Sequence, residues 1–159
     1  ERFARATLAG AVDGRPWAAL LDAAKAAGAS AGERSLQGLA GELELVPAKE
    51  RKRLEREGAD ARRRVERRAR TEALDVSLRV VELWLRDVLC IGEGASELVH
   101  AVDRRAELDA DAAQREGGSD ALREAIELVA DTRLRLALNV SEELALEALA
   151  YRLAAKLSR

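Results

Sequence analysis

The chain has 159 residues and a formal net charge of −2; 48% of its residues are hydrophobic, 35% are charged and only 3% are aromatic. Alanine (33 residues) and leucine (25) make up most of the apolar content, and both favour helices, whereas residues that favour strands are scarce. The composition therefore predicts an all-α fold, a helical bundle of about five to seven helices, and excludes all-β and parallel α/β folds. The small net charge gives no overall attraction to nucleic acid or acidic lipid.

The length suits a single helical domain over residues 1–159. One cysteine, Cys90, cannot form an internal disulfide, which is typical of a reducing compartment. With no signal peptide and no apolar run of about 18 residues, we expect a cytoplasmic protein that does not enter membranes. The chain lacks methionine and opens at Glu1 in helix-like sequence, so we expect it to be a fragment of a longer gene product.

The first third of the chain predicts three short helices. Phe3, Leu8 and Val12 indicate one over residues 2–12. Asp13 is the predicted N-cap of a second helix over 16–27, which Gly28 ends. A third helix over 30–46 is weakened by three glycines, at positions 32, 38 and 41.

A charged run follows Pro47. Residues 49–70 contain 11 basic and 5 acidic residues, a local charge of +6, so the rest of the chain carries −8. Pairs such as Arg62 with Glu66 stand four residues apart and support a helix. We therefore predict that 48–70 is a charged helix or connector, with Gly58 as a weak point.

The remaining sequence predicts further helices. An apolar helix over 71–91 is stopped by Gly92-Glu93-Gly94. A shorter helix or a pair of turns covers 96–115, and another helix covers 119–138. Ser141 is the predicted N-cap of the last helix. The apolar anchors expected for the segment 96–115 are Leu98, Val99, Val102 and Leu108.

No catalytic or cofactor motif is present in the sequence. It lacks a phosphate-binding P-loop, a GxGxxG turn, HExxH and CxxC. One histidine and one cysteine cannot complete a usual zinc site; we expect Cys90 to be a small buried hydrophobe and His100 to be structural or on the surface. We therefore expect no enzyme activity from this chain, with no catalytic, cofactor-binding or metal-binding residue.

The basic segment 49–70 leaves an alternative function open. Its arginines could grip phosphates, but it has no aromatic residue to stack on bases, no Asn or Gln to read them, and acids interleaved in sequence. We favour a solvated helix or protein contact, and do not expect direct DNA contact. A helical nucleic-acid-binding or regulatory module using 49–70 remains the alternative.

The last third of the chain resembles a known family. Residues 125–149 read AIELVADTRLRLALNVSEELALEAL, residues 84–89 read WLRDVL, and residues 98–100 read LVH. These segments are similar to the end of bacterial clamp-loader subunits of DNA polymerase III, in particular the delta prime subunit. The resemblance covers residues 71–157, although Ser141 and Glu142 replace the family's common Asn-Pro.

This resemblance implies a collar domain of the clamp loader. In that family the C-terminal helical domains of five subunits form a ring that holds the loader together during sliding-clamp loading in DNA replication. The AAA+ modules, expected upstream of this chain, bind ATP and DNA. The implied partners are the gamma/tau and delta subunits, and this part of the polymerase complex would have no active site.

The last two helices have more apolar surface than a small bundle needs, which is typical of chains that bind a partner. We hypothesise that the helix around Arg133–Leu138, the Asn139 link and the helix Leu144–Leu157 form the inter-subunit interface, with the alternative that both helices are simply core. The candidate interface residues are Arg133, Leu136, Asn139, Leu144, Leu146, Glu147, Leu149 and Leu153. The candidate structural motif that the resemblance marks is Trp84, Arg86 and Asp87.

Overall fold

The computed structural model describes residues 1–44, 47–114, 118–138 and 140–157. In these ranges the chain forms six α-helices and two short 3-10 turns, with no strand, which confirms the predicted all-α class. The helices are α1 (Arg2–Leu8), α2 (Ala18–Glu44), α3 (Ala48–Gly92), α4 (Arg105–Ala113), α5 (Ser119–Ala137) and α6 (Glu142–Leu157). The two turns, Ser96–Leu98 and Val102–Arg104, lie between α3 and α4.

The chain divides into two compact units. Leu21–Leu74, which we call the hairpin unit, contains most of α2 and the first part of α3. Glu1–Leu20 and Asp75–Arg159, which we call the core unit, contain α1, the second part of α3 and the helices that follow it. The long helices α2 and α3 thus each contribute residues to both units.

The core unit is built on apolar stripes at helical spacing. In α5, Leu122, Ala125, Val129 and Leu136 are buried, and α6 contacts this helix and α1. A fully buried leucine contributes about 2 kcal/mol relative to an exposed one, so these stripes stabilise the unit. The buried residues of α6 are Leu146, Leu149, Ala150, Leu153, Ala154 and Leu157, and those of α3 in this unit include Leu78, Val81, Leu85 and Val88.

The segment between α1 and α2 differs from the prediction. The first helix stops at Leu8 and the second begins at Ala18, so Asp13 is not its N-cap. Arg15 has a positive φ of 50°, and its guanidinium lies 2.7 Å from a carboxylate oxygen of Glu143 on α6. The Trp17 ring is buried with its centroid 6.0 Å from that of Tyr151. Residues 15–17 thus contact α6 from outside a helix, a long-range arrangement that local sequence does not reveal.

The predicted break at Gly28 is wrong, because α2 runs through it as one helix. A Cβ at Gly28 would lie 2.7 Å from Cγ of Arg70 and 3.0 Å from the Glu66 backbone oxygen, and one at Gly32 would overlap the Glu66 side chain. Within the hairpin unit these glycines therefore let α2 and α3 approach closely. Later residues of α2 meet earlier residues of α3, so the helices are antiparallel.

The charged segment 48–70 is helical and continuous with the predicted apolar helix, so α3 has 45 residues. Gly58 lies inside it, where a Cβ would overlap the side chain of Leu39. The predicted stop is confirmed: the helix ends at Gly92 and Gly94 has a φ of +76°. The Ala95 amide donates to the Cys90 carbonyl at 2.8 Å, which satisfies a carbonyl that the helix end would leave unpaired.

The segment after α3 forms the predicted turns before a short helix. Val99 and Leu108 are buried, but Leu98 and Val102 are 53% and 73% exposed and do not anchor the segment as predicted. The last helix begins after Ser141 as predicted, and the Leu144 amide donates to Oγ of Ser141 at 3.5 Å.

The glycines of α2 give a first test. Because Gly38 is helical and a Cβ added there would meet no heavy atom within 4 Å, Gly38→Ala should raise the free energy of unfolding by about 0.5–1 kcal/mol through helix propensity. Gly28→Ala should lower it, since the Glu66 carbonyl oxygen cannot move without parting the helices. Urea unfolding followed by circular dichroism measures both, and equal stabilisation by the two variants would contradict the close approach.

Candidate interaction surface

The motif residues Arg86 and Asp87 hold the segment after α3 onto that helix. The Asp87 side chain is 1% exposed and accepts hydrogen bonds from the backbone amides of His100, at 3.0 Å, and Ala101, at 2.9 Å. Arg86 donates to the Leu98 carbonyl at 3.2 Å, and its Nη1 lies 2.6 Å from Nδ1 of His100. Both side chains therefore bind partners within this chain and stabilise its fold.

Trp84, the third motif residue, connects α3 to α4. Its indole Nε1 donates to Oδ2 of Asp111 at 2.9 Å, and Nε of Arg5 on α1 donates to Oδ1 of the same carboxylate at 3.1 Å. Asp111 is almost fully buried, so these two donors offset the cost of removing its carboxylate from water. The motif that the resemblance marked is thus a structural one in the core unit.

The candidate interface residue Arg133 is engaged by its own chain. Its Nε lies 2.8 Å from Oδ1 of Asp75 and its Nη1 lies 2.7 Å from Oε2 of Glu82, and only 19% of its side chain is exposed. The hydrogen bond from Arg133 lowers the pKa of the Asp75 carboxyl, and the same bond raises the pKa of the guanidinium. Arg133 therefore joins α5 to α3 inside the core unit.

Four candidate leucines lie in the core. Leu136 on α5 and three leucines of α6, Leu146, Leu149 and Leu153, are between 0% and 6% exposed. These four leucines are therefore core residues of this chain, because α5 and α6 pack together within the core unit. Leu144 is 65% exposed and Glu147 is half-buried, so both face solvent to some degree. Asn139 lies outside the described residues.

Four aliphatic side chains are exposed around the connection between the last two helices. They are Leu134 (71% exposed), Leu138 (78%), Val140 (43%) and Leu144 (65%). Leu134 is on α5, Leu138 is the C-cap of that helix one turn later, Val140 is in the link, and Leu144 is in the first turn of α6. We call this set the α5–α6 turn surface. Clustered exposed aliphatic residues of this kind mark interaction sites more often than single ones do.

The sequence hypothesis covered the helix around Arg133–Leu138, but it did not name Leu134, Leu138 or Val140 as candidate residues. The signal that marks Leu134 and Leu138 is their register: they stand roughly 120–160° around α5 from Leu122, outside the stripe that Val129 and Leu136 share with it.

A second exposed stripe lies on α3 in the core unit. Val76, Val80 and Leu83 follow helical spacing and are 61%, 47% and 43% exposed. They stand on the side of the helix opposite its buried stripe of Leu78, Val81 and Leu85, as their spacing requires.

Each unit has a surface groove. In the hairpin unit a groove of about 430 Å³ lies between α2 and α3, lined by residues that include Leu36, Leu39, Arg62 and Glu66. In the core unit a groove of about 240 Å³ lies beside Leu128 and the end of α6. Cys90 is a free, partly exposed thiol rather than the fully buried one we expected.

The described ranges contain no group of three His, Cys, Asp or Glu side chains placed to hold a metal ion. Nor does any helix in them combine the length and apolar character needed to cross a membrane.

No known protein family, curated protein or solved structure matches this chain. The interpretation of its surfaces therefore depends on their own geometry and chemistry.

The pair of Asp75 with Arg133 predicts a pH-dependent stability. Because the folded-state pKa of Asp75 is lowered, its contribution is present above the unfolded pKa, about 3.9, and is lost as pH falls through the folded value. Arg133→Gln should therefore lower the free energy of unfolding by about 1 kcal/mol at pH 7, and the difference from the parent chain should shrink below about pH 4.

Urea unfolding at a series of pH values measures this difference. The matched control is Arg135→Gln, which removes an exposed arginine of the same helix that pairs with Asp131, one turn earlier on α5. A difference for Arg133→Gln that stays constant from pH 7 to the acid limit would contradict the assigned role.

Proposed function

We propose that this chain is a helical assembly module that docks onto a partner protein through the α5–α6 turn surface, in the manner of the collar domain of a bacterial clamp-loader subunit. The observation that carries the proposal is the exposure of Leu134, Leu138, Val140 and Leu144 around one helix connection. Fully burying an aliphatic side chain is worth about 1.5–3 kcal/mol, and a partner would recover the part of it that each of these side chains leaves exposed.

The surroundings of the surface suit a protein interface. Charged side chains flank it: Arg135 pairs with Asp131 at 2.8 Å, and Glu143 pairs with Arg15 at 2.7 Å. Protein interfaces typically combine an apolar centre with such a polar rim. Because the rim charges are already paired within the chain, docking need not bury an uncompensated charge.

The resemblance supplies the identity of the partner in this proposal. The segment that resembles the clamp-loader subunits, residues 125–149, contains all four side chains of the α5–α6 turn surface. In that family the corresponding helices belong to the ring of collar domains. The partners proposed here are accordingly the gamma/tau and delta subunits, and the role is to hold the loader together rather than to catalyse a reaction.

The surface can be altered without disturbing the core. The side chains that stabilise α5 and α6 point inward and are almost fully buried, whereas Leu138 and Leu144 are 78% and 65% exposed. Surface substitutions usually change stability by less than about 0.5 kcal/mol, and an Asp at Leu138, the C-cap of α5, should cost up to about 1 kcal/mol more through the helix dipole. Loss of binding in such variants would therefore report on the interface and not on unfolding.

The proposal predicts that Leu138→Asp combined with Leu144→Asp weakens binding to purified gamma/tau and delta subunits at least about tenfold, because each charge would be buried at the contact. Sizing chromatography and pull-down measure the association. The matched control is Leu98→Asp combined with Val102→Asp, which changes two aliphatic residues that are 53% and 73% exposed elsewhere in the core unit.

Circular dichroism should show the same helix content in all three proteins. If the parent chain does not bind these subunits, the clamp-loader assignment is wrong. If it binds and the α5–α6 variant binds equally well, the assignment of the interface to this surface is wrong.

A further inference from the structure

Seven of the 11 basic residues of the segment 49–70 lie on one side of α3. With about 100° between successive residues of an α-helix, seven of them lie within about 60° of a single line along the helix. We call them the basic stripe: Lys49, Lys52, Arg53, Arg56, Arg63, Arg64 and Arg67. Every one is exposed. Arg70 stands at the edge of the same sector, but its side chain packs beside Gly28 of α2.

The stripe carries the whole local excess of positive charge. Asp60 is the single acid in the sector, so the stripe with Asp60 has a net charge of +6, and the other four basic and four acidic residues of 49–70 cancel. Of the five acids interleaved in sequence, Asp60 lies in the sector and Glu57 pairs with Arg53, whereas the other three stand outside the sector. An example is Glu66, which pairs with Arg62 at 2.6 Å and lies beside Gly32 of α2.

Most of the stripe's charges are available to a ligand. Arg53 pairs with Glu57 at 3.2 Å, and Arg63 lies 3.8 Å from Asp60, both on the exposed surface. For the other five, the described part of the chain offers no carboxylate within 4.0 Å. The residues from 49 to 67 span about 27 Å of helix, with a charge roughly every 5 Å.

We propose that the basic stripe binds the phosphate backbone of duplex nucleic acid without reading its sequence. Duplex DNA presents one negative charge about every 1.7 Å of its axis, so a straight row of cations of this length can contact several phosphates at once. The stripe contains no Asn or Gln to pair with base edges. Arginine can also pair with guanine edges, but contacts with phosphates, as proposed here, carry no sequence information.

Other ligands suit the stripe less well. Its sector contains no apolar residue within 49–70, whereas helices that bind membrane surfaces insert an apolar face. A folded protein partner normally needs an aromatic or aliphatic anchor at the centre of the contact, and the stripe has none. Single-stranded nucleic acid is held by stacking on aromatic side chains, and residues 21–74 contain no aromatic residue.

Duplex binding is a function separate from the proposed assembly role, because the basic stripe lies in the hairpin unit and the α5–α6 turn surface lies in the core unit. The position of the acids on the helix favours the nucleic-acid-binding alternative more than the sequence did. The sequence alone led us to expect that the interleaved acids weaken the field of the basic run, whereas the helix separates most of them from the stripe.

The test is fluorescence anisotropy of a labelled duplex of about 20 base pairs, titrated with the full chain between about 20 and 200 mM salt. With five or more phosphates contacted, log K should fall against log salt with a slope of about −5. Arg56→Gln with Arg64→Gln and Arg67→Gln should reduce that slope by about 3 and weaken binding at low salt at least tenfold.

The matched control loses the same charge from outside the stripe: Arg34→Gln with Arg51→Gln and Arg68→Gln. It should change affinity less than about threefold. Circular dichroism verifies that both variants remain helical. The proposal is overturned if the parent chain does not bind duplex at the lowest salt, or if the two triple variants lose affinity equally.

Two further titrations separate the ligand classes. Single-stranded oligonucleotide of the same length, and vesicles of phosphatidylcholine with phosphatidylserine, should each bind more weakly than duplex. Equal or tighter binding of either ligand would overturn the assignment to duplex nucleic acid.

Discussion

The carboxylate of Asp87 organises the core unit, because it accepts the amide hydrogens of His100 and Ala101 from within a buried position on α3. A buried carboxylate without such donors would cost several kcal/mol. With them, the irregular segment after α3 has a fixed path along the helix and leads into α4. There Asp111 receives the indole N–H of Trp84 and the guanidinium of Arg5, so α1, α3 and α4 share one polar network.

The two units of the chain are stabilised in different ways. The core unit buries complete leucines from several helices, and its ion pair between Arg133 and Asp75 adds to an existing core. The hairpin unit buries little of its charged segment and instead brings two helices together at Gly28 and Gly32. The 45-residue helix α3 accordingly has a highly charged first part in the hairpin unit and an apolar second part in the core unit. Each unit also has an exposed surface: the basic stripe in the hairpin unit and the α5–α6 turn surface in the core unit.

Periodicity and stop signals predicted much of this fold. The helix over 119–138, the stop at Gly92-Glu93-Gly94 and the cap at Ser141 depend on neighbours close in sequence, and they appear where predicted. The break expected at Gly28 was wrong because the decisive contact is with Arg70 and Glu66, far along the chain. For the candidate surface, the sequence predicted the region but not the exposed residues. Leu134 and Leu146 are both leucines of apolar helices, yet Leu134 is exposed and Leu146 is buried.

The organising role of Asp87 is tested most directly by amide hydrogen exchange at His100 and Ala101 in Asp87→Ala and Asp87→Asn. We expect both amides to be protected in the parent chain and in Asp87→Asn, since one amide oxygen can accept both bonds. In Asp87→Ala they should lose that protection, and the free energy of unfolding should fall by about 2–4 kcal/mol. Unchanged protection of His100 and Ala101 in Asp87→Ala would show that Asp87 does not organise the core unit.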